Sequence, residues 1–212
     1  MYTFYKYLDR TYAENLVYKG EILIRPLNEF KDLDKFTRKI GDKREGTVKF
    51  YPNGKVFDTA DPTHNKSVAN LVSQKMQAGR VIIDASEHIE FITQNCFIYS
   101  VSQILNKDLQ REFKYDSCVK ISPFDDFYRT LTYNMEKSGL KIIQTEVNEC
   151  WYLDKDFDLS QELPGPPAFI KEKHFENQKE VRCAWIIEGI EEKPLKLTYP
   201  EITKFCSLAE PL

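Results

Sequence analysis

The sequence predicts an α+β fold, a single domain over residues 1–212, and three observations carry that expectation. The chain opens strand–helix–strand within about thirty residues, the length such a unit needs. Strand-like runs outnumber helical ones and crowd together after residue 80, which makes the C-terminal two-thirds strand-rich and favours segregated over alternating elements. No repeat, low-complexity tract or long linker divides the chain. The one Pro/Gly-rich stretch, LPGPP at 163–167, has too little chain after it to fold alone.

YTFYKYL (2–8) reads as the first strand. DRTYAENLVYKG (9–20) follows as a helix, with Thr11 and Glu14 at capping-box spacing and Gly20 suited to its end. EILIRPLNEF (21–30) is a second strand running into Pro26. The charged stretch KDLDKFTRKIGDKRE (31–45) is expected to be an exposed segment closing on a turn at Gly41-Asp42. VKFYPNGKVFD (48–58) holds two alternating runs joined through Asn53-Gly54, the signature of a type I′ hairpin. Asp61 and Pro62 then open a helix through NKSVANLVSQKMQ.

RVIID, HIEFIT, CFIYSVS and FKYDSCVKI are the strands of the middle. Ser122-Pro123 starts an amphipathic helix, FDDFYRTLTYNMEKSG, and KIIQTEV with ECWYLD suggests a second hairpin. ELPGPPAF is a loop leading through FIKEKHFEN to QKEVRCAWII. LKLTYP and ITKFCSL are the last two strand-like runs. In QKEVRCAWII a period of two places Glu180 and Arg182 on one face and Val181 and Cys183 on the other.

Hydrophobic residues at 42% and charged residues at 30% are those of an ordinary globular protein, whereas fourteen Phe and twelve Tyr supply many groups that stack and line pockets. The net charge of −3 gives no global attraction to nucleic acid or to an anionic membrane. MYTFYKYLDR lacks the basic start and apolar run of a leader or anchor, and no membrane partner is expected. Five widely spaced cysteines without a C-x-x-C pair read as reduced thiols, so the expected compartment is the cytoplasm. Phosphate-loop, dinucleotide-fingerprint, H-E-x-x-H and G-x-S-x-G motifs are all absent, and His64, His88 and His174 have no partner at ligand spacing. No metal site is expected.

What remains is an aromatic and polar constellation. Tyr5 and Tyr7 share a face of the first strand, with Lys6 on the other; Arg25 ends the second strand; Tyr99 and Ser100 lie in CFIYSVS; Glu180 and Arg182 share a face of the late strand. Tyrosines on strands are more often packing residues than ligand contacts. Arg25 and Glu180 could equally form an ion pair between neighbouring strands and do nothing else.

YKY in the first strand, GEILIRPLNEFKD, CFIYSVS, KYDSCVKI and FIKEKHFENQKEVRCAW occur in an order that resembles a widespread bacterial domain family of unknown function. Its members share a Tyr-Lys-Tyr start and a terminal K-x-x-x-[FW]-x-x-E-x-E-[WY]-R strand. Through that family the chain resembles the ADP-ribosyltransferases, DNA-targeting toxins included. Cys-Phe-Ile-Tyr-Ser replaces the family's Cys-Phe-Ser, NEFKD replaces Phe-Asn-Asp, and QILNKDLQREF stands where Met-Trp-x-x-Tyr is usual, so this is a divergent member.

The resemblance implies a split sheet with peripheral helices and NAD as substrate. It makes Glu180 the catalytic carboxylate at the nicotinamide riboside, Arg25 the holder of the pyrophosphate, Tyr5 or Tyr7 the grip on a ribose, and Tyr99 with Ser100 the backing of the nicotinamide. The implied activity is ADP-ribosyl transfer to a protein or nucleic acid in a bacterial or phage conflict system. The chemistry is coherent. Cleavage of the glycosidic bond passes through an oxocarbenium-like state that a carboxylate stabilises. A guanidinium suits a diphosphate, and aromatic faces suit the cationic nicotinamide. Two alternatives stand beside it: a catalytically idle module of the same fold that binds a nucleotide or a protein, and a nucleic-acid processing protein using the charged 31–45 segment. The first two diverge on whether Glu180 lies in a concavity facing Arg25 and an aromatic ring.

Overall fold

Alternation of Phe4, Lys6 and Leu8 with Tyr5 and Tyr7 builds β1 (Phe4–Leu8). In the computed structural model, which describes residues 2–32, 34, 41–51, 57–58, 82–83, 88–93, 96–158 and 161–209, β1 leads directly into α1 (Arg10–Lys19). The expected capping box does not form. The Asp9 side chain makes no cap bond, and Glu14 is drawn instead to Arg10 one turn earlier, at 2.6 Å. Gly20 does close the helix: its φ is 70°, and its N–H donates to the Leu16 carbonyl at 3.2 Å.

The remaining strands are β2 (Glu21–Pro26), β3 (Thr47–Tyr51), β4 (Phe57–Asp58), β5 (Ile82–Ile83), β6 (Ile89–Ile92), β7 (Phe97–Ser102), β8 (Ser117–Ile121), β9 (Ile142–Glu149), β10 (Trp151–Tyr152), β11 (Asp156–Asp158), β12 (Ile170–Lys171), β13 (Glu180–Ile187), β14 (Leu195–Thr198) and β15 (Cys206–Ala209). Two further helices are α2 (Lys107–Phe113) and α3 (Phe124–Lys137). The fold is α+β, with an eight-stranded sheet in the order β14-β2-β7-β1-β8-β15, and β13 and β9 branching from β7. Every pairing in this sheet is antiparallel.

The second expected hairpin is corrected. β9 and β10 follow each other across Cys150 without turning back: β9 pairs with β13, and β10 lies parallel to β12. The Asn53-Gly54 turn is outside the described residues. β3 has both edges occupied, by β6 and by β11, and β4 pairs with β5. Local alternation fixed which segments are strands but not their partners, because partners are chosen by contacts distant in sequence. The helix expected from Asp61 is also outside the described residues.

α3 forms where expected, since Phe124, Phe127, Leu131 and Met135 recur at helical spacing and are all buried. α2 has a signal that the sequence reading passed over. The Asn106 side chain accepts from the Asp108 and Leu109 N–H groups at 2.7 and 3.1 Å, an N-cap of ordinary chemistry. The main core lies on one face of the sheet, where Phe97, Tyr99, Val101, Val181, Cys183 and Trp185 meet α1 and α3. Cys96, Cys118, Cys150 and Cys183 are buried, Cys206 is half-buried, and all five are free thiols. No described helix is long and apolar enough to cross a membrane.

The feature that positions the site is the edge of β7. One edge is paired along its whole length with β13, from Glu180 opposite Ser102 to Trp185 opposite Phe97. The other edge is shared: β2 takes Phe97 and Ile98, β1 takes Ser102, and the two strands diverge around the residues between.

Gly20 holds the turn that sets β2 against this edge. A Cβ there would sit 2.1 Å from the Tyr199 carbonyl oxygen, on a backbone already at positive φ. Gly20→Ala should therefore destabilise the fold by about 2–4 kcal/mol, a left-handed penalty plus a backbone clash. Urea unfolding monitored by tryptophan fluorescence measures it.

Candidate functional site

Where β1 and β2 part, the sheet opens into a cavity of about 780 Å³. Tyr5, Tyr7, Arg25, Tyr99, Ser100 and Glu180 all line it, joined by Lys6, Phe30, Phe113, Tyr115, Lys171 and Arg182. β1 supplies Tyr5 to Tyr7, β2 supplies Arg25, β7 supplies Tyr99 and Ser100, and β13 supplies Glu180 and Arg182.

Glu180 is 9% exposed. Lys179, directly before it, adopts φ 43° and ψ 51°, a left-handed turn that swings the chain from the 173–178 helical turn into β13. The Glu180 N–H donates to the Tyr152 hydroxyl at 2.6 Å. Its carboxylate accepts from two cations, Lys171 Nζ on Oε2 and Arg182 Nε on Oε1, each at 2.6 Å. Arg182 in turn donates to both oxygens of Glu45, at 2.7 and 3.1 Å, and to the Ala168 carbonyl. Lys171 also donates to Gln178 Oε1 at 2.7 Å and lies 4.6 Å from the centre of the Phe175 ring. Two cations and two carboxylates thus alternate in a buried chain, Lys171–Glu180–Arg182–Glu45. Burial alone would raise the Glu180 carboxyl; Arg182 and then Lys171 outweigh it and hold the group well below the ordinary carboxylate range.

The ion pair between Arg25 and Glu180 does not exist. β2 and β13 lie on opposite edges of β7, and Arg25 pairs with Glu29 at 2.8 Å. In the segment 31–45, Asp32, Asp34 and Lys43 are exposed as expected, but its end is not a solvated loop. Glu45 is buried against Arg182, and Asp42 is buried against Lys155 at 2.5 Å, because the segment's end packs under β13 and before β11.

The two tyrosines of β1 differ. Tyr7 is buried, and its hydroxyl donates to the Ile104 carbonyl and accepts from the Asn106 N–H, both at 2.8 Å, so it ties β1 to the turn before α2. Burial pushes that hydroxyl up to about 12. Tyr5, half-buried, is the first-strand tyrosine whose hydroxyl is not held by that turn. The pleat also separates Tyr99 from Ser100. Ser100 faces the Arg182 side, while Tyr99 packs on Phe127 in the core, its buried hydroxyl without a hydrogen-bond partner among the described residues.

Lys6 stands at the parting of the strands. Its ammonium donates to the Ser100 carbonyl at 2.7 Å and lies 4.6 Å from the centre of the Tyr99 ring. Burial lowers the amine to about 8, Glu180 partly offsets that, and Arg25 adds to it. Lys171 and Glu45 are absent from the sequence-derived constellation, and Lys6 stands in it with no role assigned. Arg182 had a visible signal, two residues from Glu180 on one strand face; Lys171 and Glu45 had none, since their partners lie 9 and 137 residues away. Among the described residues no group of three His, Cys, Asp or Glu gathers as a metal set.

No family model, curated protein or solved structure matches the chain.

Glu180 should make the fold acid-sensitive. Its folded carboxyl titrates below its unfolded value, so its contribution is complete above about pH 4.5 and is lost as the pH falls further. Asp42 shifts the same way, held down by Lys155 against the effect of burial. The urea midpoint should fall steeply below pH ~4.5. Glu180→Gln, weakened by about 3 kcal/mol at neutral pH because it leaves buried cations undercompensated, should show a shallower acid dependence.

Proposed function

We propose that this chain is an ADP-ribosyltransferase-like protein whose cleft takes NAD or another nucleotide bearing a diphosphate. One observation carries the reading: six positions chosen from four separate strands line a single cavity, at the place where the sheet divides. Its volume lies within the roughly 300–1,000 Å³ of small-molecule sites. Its lining joins aromatic faces, for a base or nicotinamide, to cations on β1, β2, β12 and β13, for phosphate. In this reading Tyr5 contacts a ribose, Arg25 and its neighbours face the diphosphate, Ser100 backs the reacting end, and Glu180 accepts from a ribose hydroxyl.

Two versions diverge at Glu180. ADP-ribosyl transfer to a protein or nucleic acid, in a bacterial or phage conflict system, needs a carboxylate whose field reaches the developing oxocarbenium ion. Here that field is largely cancelled by Lys171 and Arg182 at 2.6 Å, and a carboxyl held so low is a weak general base. This pairing favours the second version, a module that binds the nucleotide and turns it over slowly or not at all. Transfer requires the ligand to draw Lys171 away from Glu180.

Titration calorimetry with NAD, run beside a nicotinamide-release assay on wild type and Glu180→Gln, separates the versions. Binding without release in either protein is the expected result. Release by the wild type that falls about 10²–10³-fold in the variant would establish the transferase. Failure of NAD, ADP-ribose and ADP to bind would sink the nucleotide reading.

A further inference from the structure

We infer that Lys6 is the anion anchor of this cleft, the side chain that binds the phosphate of a nucleotide ligand. The inference rests on the nucleotide reading and names the residue that gives it specificity.

The cavity cations differ in what they already hold. Arg182 uses its Nε, Nη1 and Nη2 atoms on Glu180, Glu45 and the Ala168 carbonyl. Lys171 is divided between Glu180, Gln178 and the Phe175 ring. Arg25 has Glu29 as its counter-ion, and Lys196 is an exposed rim residue on β14. Lys6 and Lys196 have no carboxylate within ion-pair distance among the described residues, and of the two Lys196 is exposed to solvent whereas Lys6 is half-buried where β1 and β2 part. Its hydrogen bond goes to one neutral acceptor, the Ser100 carbonyl, which leaves two of its three N–H donors for a ligand.

The position explains why a lysine is there. Between Ile98 and Ser102 the free edge of β7 has no strand partner among the described residues, and the ammonium of the diverging strand fills the gap by bonding Ser100. A cation held by one carbonyl and one aromatic face, at the head of a cavity, lacks a counter-charge. A phosphate supplies it. The groups around the amine are Tyr99 on β7, Arg25 on β2, and Glu180 and Cys183 on β13. Glu180 is already committed to two cations, and Tyr99 and Cys183 stay protonated because burial raises both. Near pH 8, therefore, the amine is the group in this set that titrates.

The test compares ADP, adenosine and inorganic pyrophosphate by titration calorimetry on wild type, Lys6→Met and Lys6→Arg. The Met variant should bind ADP about 10–100-fold more weakly, the loss expected for one charge-assisted contact, and adenosine nearly unchanged; Arg should restore most of the ADP affinity. In the wild type, ADP affinity should fall as the pH rises through 8, and binding there should take up a proton, read from buffers of different ionisation enthalpy. Equal weakening of ADP and adenosine, or ADP affinity flat from pH 7 to 9, would overturn the assignment and leave the cleft reading intact. No binding of any probe to the wild type would overturn both. The pH series needs no variant, so a Met substitution that unfolds the chain does not shield the idea.

Discussion

The divided edge of β7 is the constraint from which the site follows. A central strand normally has both edges bonded by neighbours, because a backbone group that is buried without a partner costs as much as a lost hydrogen bond. Here β13 completes one edge, while β1 and β2 each take an end of the other and separate between. The gap has to be closed by something polar. Lys6 does so at Ser100, with its stem inside the sheet and its charge at the opening. The cavity, the cation at its head and the exposure of both β7 faces to it are consequences of one departure from regular pairing.

The second organising element is the network Glu45–Arg182–Glu180–Lys171. It joins three stretches distant in the chain: the residues before β3, strand β12, and the start of β13. Removing four charges from water is costly, and such a network breaks roughly even only when every charge has its partners. That condition is met here, down to Gln178 on Lys171 and the Ala168 carbonyl on Arg182. The network specifies one arrangement of the loops beneath the cleft more than it adds stability. Asp42 and Lys155 repeat the device with a second buried ion pair and pin the same segment.

What the sequence made legible was local. The strand–helix–strand opening, the Gly20 stop, the helical spacing of Phe124 to Met135, and the shared face of Glu180 and Arg182 all follow from periods of 3.6 or 2 and from backbone freedom. What it hid was pairing. KIIQTEV and ECWYLD alternate as a hairpin should, yet their partners are β13 and β12, because packing of distant segments decides the register. Glu45 looked like one more charge in a mixed run; only its contact with Arg182 makes it a core residue. The six site positions came from motif order in a resemblance, not from any local pattern, and composition could not have singled out Lys6 from the other lysines. The Tyr-Lys-Tyr opening drew attention to its aromatics, and one of those, Tyr7, turns out to hold a turn in place.

The charge pattern also links the two views of Glu180. An unpaired carboxylate beside Lys6 would repel a phosphate and would compete for the amine, so a cleft with a bare Glu180 would select against nucleotides. Lys171 and Arg182 remove that repulsion: with Glu45 they make the network neutral as a whole, Arg25 is offset by Glu29, and Lys6 is the half-buried cation left beside Glu180 without a paired carboxylate among the described residues. In the proposed reading, the pairing that would blunt Glu180 as a catalyst is the pairing that would let an anion enter next to it. Turnover and tight binding would pull this carboxylate in opposite directions, and its pairing with Lys171 and Arg182 at 2.6 Å is the arrangement that the binding version of the proposal requires.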